Sequence, residues 1–397
     1  LWGALFSTFF LGGILVAGWT ARAARRQTLH TWWRRSPVRA SGQSFHDFLA
    51  QDPALAEWIT WPRWFLGTPV SATSLSHPGR PGRLRRAWAR VFGGLLANAR
   101  LGLAMVATTA VVTLPGALLW ATAWYAGWQN SFNKGYENAW FGPTLYLLGM
   151  GLFSVAMLYV PLAQARLAST GNWRRFFDTR VVMTLIRRRW LASAGLAFTW
   201  GLVSGTALIL KSLPTFAQYI PDLADLTPAE ALKSSQDFFF VAALMFFPAY
   251  LILRLLAARV YASGLRDAFQ SGALGEDALG PDEWHTLNRL GLLTPRPAAD
   301  PGRFLRLARW LATRTGQVTA ATVVFAGWFA FSFFVAVSEF AAKTEYGRGW
   351  WNQPMIQVPW FDYTPGRLRA MVRESREAED PAPTEPVVPD LLSEGDR

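Results

Sequence analysis

The chain has 397 residues, a mean hydropathy of +0.15, 51% hydrophobic but only 16% charged residues, 21 Trp, no Cys and a formal net charge of +13. Soluble domains carry roughly 25% charged residues, so this balance excludes an ordinary water-soluble protein. The missing Cys excludes disulfides, thiolate metal sites and thiol catalysis.

A helix needs roughly 20 residues to cross about 30 Å of hydrocarbon. Six stretches without Asp, Glu, Lys or Arg meet or approach that length: 1–21, 101–133, 138–165, 190–210, 238–253 and 315–338. In the first, Ala17, Gly18 and Ala21 are small enough to suit a signal cleavage site. That run is longer than a signal peptide's apolar core, however, and Arg22, Arg25 and Arg26 follow it as a stop-transfer flank would. The fifth run is short, but apolar residues continue past Arg254 and Arg259, whose long side chains can snorkel to the headgroups. The expected spans are therefore 1–21, 101–128, 141–165, 190–210, 238–261 and 315–338.

The connectors alternate in charge. Segment 22–100 carries 13 basic and 3 acidic residues, 129–140 one of each, 166–189 seven and one, 211–237 two and four, 254–317 nine and six, and the tail from Glu339 seven and eleven. The positive-inside rule places 22–100, 166–189 and 254–317 in the cytoplasm, with both chain ends on the other side. The excess charge is thus a topogenic and lipid-facing feature, and nucleic acid is not an expected partner.

Between the first two spans, Ser44 to Asp47 resembles a helix N-cap box with Asp in place of Glu. Trp58, Trp61, Trp64 and Phe65 crowd around Pro62 there, a composition suited to the headgroup level. Segment 71–82 is a Ser/Pro/Gly loop, and Leu84, Trp88, Val91 and Leu95 predict a helix leading into the second span. In 166–189, Trp173, Phe177, Val181 and Leu185 recur every four residues, which predicts an interfacial helix with a basic face. Ala165-Arg166 precedes Gly171 as Ala258-Arg259 precedes Gly264, a hint of a duplicated hairpin. Gly201 and Gly205 form a Gly-x-x-x-Gly pattern in the fourth span, which permits close helix approach. Asp300-Pro301 opens a third basic amphipathic helix. Trp350, Trp351 and Trp360 mark an external aromatic segment over 339–375, and the acidic, Pro-rich 376–397 reads as disordered.

The sequence carries few groups arranged for catalysis or metal binding. His30, His46, His77 and His285 all lie in connectors and form no metal-binding pattern. No Walker loop, dinucleotide-binding Gly pattern, nucleophile elbow or carboxylate cluster is present. The spans contain mainly small polar groups, among them Thr108, Thr109, Thr113 and Thr122 in the second and Ser193, Thr199, Ser204 and Thr206 in the fourth. They would either line a path or bond their own helix backbone.

The stretch from Pro161 to Trp190, with Ala-Gln-Ala-Arg at a span end followed by Trp-Arg-Arg-Phe-Phe-Asp-x-Arg, resembles uncharacterised bacterial polytopic inner-membrane proteins. The resemblance implies location and architecture and supplies no catalytic residue. The expectation is an all-α, polytopic helix bundle of about six spans with amphipathic interfacial helices, without enzymatic activity, cofactor or metal. It would serve as an accessory subunit that meets membrane lipids and a membrane-protein partner through Trp58, Trp61, Trp64, Phe65, Trp173, Phe177, Gly201, Gly205, Trp350, Trp351 and Trp360. The alternative is a transporter or channel for an uncharged solute along the hydroxyls of the second and fourth spans.

Overall fold

Long apolar runs leave a backbone no water to bond, and helices satisfy their own N–H and C=O groups. The computed structural model follows that rule: among the described residues, 1–53, 55, 58–59, 83–123, 141–214, 226–294, 303–342, 358–362, 364 and 366–379, there are helices and no strand. In chain order the helices are α1 (Trp2–Phe6), α2 (Phe10–Arg34), α3 (Pro37–Ala40), α4 (Phe45–Ala50), α5 (Arg83–Thr122), α6 (Phe141–Thr170), α7 (Thr179–Arg188), α8 (Trp190–Ser212), α9 (Pro228–Gln270), α10 (Pro281–Arg289), α11 (Arg303–Ala342) and α12 (Gly366–Glu379). Four segments are long and apolar enough to cross a membrane: Phe92–Thr122, Phe141–Thr170, Trp190–Ser212 and Pro228–Gln270.

The expected first span is not one continuous helix. The chain breaks at Ser7 to Phe9, where the Ser7 hydroxyl donates to the Gly3 carbonyl at 2.8 Å and the Phe361 N–H donates to the Ser7 carbonyl at 2.9 Å. Only about 18 Å of α2 then precedes Arg22, at 1.5 Å per residue. Segment 166–189 is also interrupted. α6 runs on to Thr170, Gly171 ends it at φ +66°, the left-handed conformation common after helix C-termini, and a 3-10 turn, Trp173–Phe177, precedes α7. The change of direction at Asp178 divides the predicted stripe, so Val181 and Leu185 are buried while Trp173 and Phe177 are exposed. Gly264, by contrast, lies within α9, so the Gly171 and Gly264 segments do not share a structure.

Contacts between the six long helices fix their relative directions. Arg22 bonds Asn98 and Gly18 meets it, while Gly102 meets Ile14, so α2 and α5 are antiparallel. Trp19 packs on Phe247 and the Trp32 indole donates to the Ala262 carbonyl, so α2 and α9 are parallel. Gly116 meets Gly149 and Gln164 bonds Thr109, setting α5 against α6. Trp200 packs on Tyr250, and Ala207 clusters with Ala242 and Ala243, setting α8 against α9. α11 runs parallel to α8, with Trp190 at Gly316 and Trp328 at Gly201. α2, α6 and α9 therefore share one direction and α5, α8 and α11 the other. One end of the bundle gathers the Arg-rich segments; we call it the basic end. At the opposite end Val358 and Phe361 are buried against α2, α5, α8 and α9, and Trp360 meets Phe10 edge to face. α12 extends to Glu379, so it takes in the first four residues of the segment expected to be disordered.

Candidate functional site

The basic end is organised around Arg166, in the last turn of α6. Its side chain is 0% exposed. One terminal nitrogen donates to Asp178 and to the Ala278 carbonyl, both at 2.7 Å, and the other donates to the Tyr261 hydroxyl at 3.3 Å. Glu283, 1% exposed, lies 3.9 Å from Arg166. It accepts from Ser169 at 2.8 Å, from the Tyr261 hydroxyl at 2.5 Å and from the Gly280 N–H at 3.0 Å. A buried guanidinium loses its hydration, and only paired charges with satisfied hydrogen bonds offset that loss. Groups from α6, α9, α10 and the turns before α7 and α10 supply such partners to the two terminal nitrogens, while the buried Nε has no hydrogen bond among the described residues.

Further ties surround it. Asp52 accepts from Arg289 at 2.7 Å and bonds His285 at 2.8 Å, which fixes α10 against the segment after α4. The Arg289 guanidinium also stacks over Phe48. Arg189 and Arg266 both pair with Asp267, linking the start of α8 to α9. Arg25 pairs with Asp282 at 2.8 Å. These carboxylates hold helices together.

A second polar cluster lies deeper. Arg254 of α9 turns into the bundle and is 3% exposed, so it does not snorkel as expected, whereas Arg259 is exposed. Its location is about 10 Å inside the 238–261 span, counting from Tyr261 at 1.5 Å per residue. Two of its nitrogens donate to the Tyr250 hydroxyl, at 3.0 and 2.5 Å, and the third donates to the Gln164 side-chain carbonyl. The Gln164 amide donates in turn to Thr109 at 2.6 Å. The Tyr250 and Trp200 rings lie 4.9 and 6.0 Å from the guanidinium carbon, within range of cation–π attraction. Among the described residues no carboxylate pairs with Arg254. Helix rotation alone decides whether such a side chain faces in or out, but the polar Gln164 within an otherwise apolar run was a visible sign of an inward partner.

No family model, curated protein or solved structure matches the chain. Among the described residues there is no group of three His, Cys, Asp or Glu able to hold a metal ion.

The predicted interface residues separate. Trp58 is 3% exposed and internal, with its ring 5.0 Å from the Arg25 guanidinium and its carbonyl accepting from Arg26 at 3.1 Å. Trp173, 52% exposed, stacks edge-on with Phe177 and points away from the core. Gly201 contacts Trp328, whereas a Cβ at Gly205 would meet nothing within 4 Å. Both line an open apolar groove of about 330 Å³ between α8 and α11. Trp360 is half-buried; Trp61, Trp64, Phe65, Trp350 and Trp351 lie outside the described residues.

The hydroxyls of the second and fourth spans mostly serve their own helices. Thr108, Thr113, Thr199 and Thr206 each donate to a carbonyl four residues earlier. Thr109 accepts from Gln164 on α6, and Ser204 is buried on α8.

Proposed function

We propose that this chain is a six-span membrane protein of bacterial inner-membrane type that acts as a non-enzymatic accessory subunit, holding a larger assembly through its basic, cytoplasmic end. The six spans are the four apolar segments together with 1–21, which takes in α1 and the start of α2, and 315–338 within α11. The alternating directions of the six long helices support this count, because a chain that crosses at each of them must reverse each time. The alternating connector charge supports the orientation.

The observation that carries the accessory role is the contrast at the basic end between charged groups and aromatic ones. Arg166, Glu283, Asp52 and Asp267 tie the basic end into one body, while Trp173 and Phe177 remain outside it with Arg174 beside them. A rigid body that exposes aromatic and Arg side chains has the composition of a binding surface, where those residue types dominate the energy. α11 adds Phe304, Leu307 and Trp310, all exposed on its leading turns.

Mild-detergent extraction followed by cross-linking and mass spectrometry tests this. A stoichiometric partner is expected, cross-linked near 173–188, and Trp173→Ser with Phe177→Ser should abolish its co-purification while the helical content is unchanged. Monodisperse, partner-free protein would remove the proposal.

A further inference from the structure

Several guanidinium groups of the basic end, those of Arg166, Arg189 and Arg289 among them, have carboxylate partners, but those around one groove do not. The groove lies between the parallel helices α2 and α9 and has a volume of about 400 Å³. Trp19, Ala23, Arg26 and His30 line it at spacings of four, three and four residues, one face of α2 followed for about 16 Å. Leu251 and Leu255 line it from α9, and Arg259 is the next residue on that face. The groove is therefore apolar at the end facing the spans and basic at the end facing the connectors.

The basic end of the groove has a surplus of cations. Arg26 donates through Nε to the Trp58 carbonyl, which leaves its two terminal nitrogens without a hydrogen bond among the described residues. Arg34, Arg39 and Arg259 also act electrostatically on His30, and among the described residues none of these four Arg pairs with a carboxylate. His30 itself is held by rings, 5.7 Å from Trp33 and 5.1 Å from Phe45. An occupant must supply negative charge at this end and hydrocarbon at the other, at the depth where a membrane turns from headgroup to acyl chain.

We propose that the α2–α9 groove is a binding site for an anionic phospholipid, with its phosphate between Arg26 and Arg259 and an acyl chain along Leu251 and Leu255. This rests on the membrane-spanning reading above. A headgroup with net negative charge fits the surplus better than a zwitterionic one, because the latter brings its own cation into a site that already holds several.

The test is native mass spectrometry of the detergent-solubilised full chain, titrated with phosphatidylglycerol and separately with phosphatidylcholine. Retention of phosphatidylglycerol should be at least about tenfold stronger, since each basic residue near a membrane surface adds severalfold to anionic-lipid binding. Arg26→Gln combined with Arg259→Gln should remove that preference, and Leu255→Trp, which fills the apolar half without touching a charge, should weaken retention of both lipids. Equal retention of the two lipids by the wild type would overturn the proposal. So would an undiminished preference in the double variant, or, should that variant not fold, undiminished retention in Leu255→Trp. Alkaline carbonate extraction separates the two readings: a chain released from membranes would sink the spanning topology itself, whereas a retained chain without lipid preference would sink only the groove.

Discussion

Removing one member of the Arg166–Glu283 pair leaves the other charged in a site closed to water, and that asymmetry sets the expected energies. Arg166→Met should lower stability by about 3–5 kcal/mol, the usual loss when one partner of a buried pair is deleted. Arg166→Met together with Glu283→Leu should recover part of it. Asp282→Asn removes a shorter ion pair, 2.8 Å against 3.9 Å, but Asp282 is 60% exposed, and its loss should stay within about 1 kcal/mol. Unfolding of the detergent-solubilised variants compares them; similar losses at both sites would show that burial does not set the energy here. His30 makes a second case. Burial, followed by Arg34, Arg26, Arg259 and Arg39, holds its pKa below the ordinary 6.5. The unfolded chain then binds more protons than the folded one below that value, so this contribution to stability is complete above 6.5 and declines as pH falls through the folded pKa. The acid-side loss, measured between about pH 7.5 and about pH 5, should shrink in His30→Gln. In an NMR titration, anionic lipid in the groove should move His30 upward; an unmoved His30 would count against a phosphate beside it.

Helix pairs in this bundle approach most closely where a Cβ is missing. A Cβ on Gly18 would sit 1.9 Å from the Asn98 carbonyl oxygen, and one on Gly102 would sit 1.9 Å from the Ile14 carbonyl oxygen. These are backbone atoms, which cannot rotate away, so Gly102→Ala must push α2 and α5 apart and should cost about 1–3 kcal/mol. Gly205 has open space around it, and Gly205→Ala should be neutral or slightly stabilising because Ala is the better helix former by about 1 kcal/mol. Thermal unfolding of the two variants decides; an equal loss from Gly205→Ala would mean that α8 has a close neighbour there. The contrast shows what the sequence could and could not reveal. Apolar runs between charges mark helices directly, and the Ser44 cap is local, its hydroxyl accepting from the Asp47 N–H at 3.1 Å. The Gly-x-x-x-Gly pattern at Gly201 and Gly205 was visible for the same reason. The contact between Gly18 and Asn98 joins isolated positions about eighty residues apart, which no local pattern encodes. Arg254 failed in a related way: its distance from the span end is readable, but the rotation of α9 that turns it toward Gln164 depends on where α6 packs. The division of the Trp173 to Leu185 stripe depended on a turn at Asp178 that periodicity does not register.

At the scale of the whole molecule, direction and charge make one claim. α2, α6 and α9 end, and α5, α8 and α11 begin, at the basic end, so the net excess of Arg over acid falls where three helices leave the bundle and three return. α9 is the most direct reporter of orientation. Its 43 residues extend about 65 Å, twice the thickness of a hydrocarbon core, so its two ends lie well clear of the bilayer on either side if it spans. Ser234 and Ser271 are both exposed, one near each end, and the chain has no Cys of its own, which makes single introduced thiols unambiguous. With the positive-inside orientation, Ser234→Cys should react with a membrane-impermeant maleimide in cells whose inner membrane is intact. Ser271→Cys should react only after that membrane is opened. The reverse pattern would invert the molecule and place its Arg-rich end outside, where the anionic cytoplasmic leaflet could not meet Arg26 and Arg259. Labelling of both positions from the same side would take α9 out of the set of spans, and with it the alternation on which the six-span reading depends.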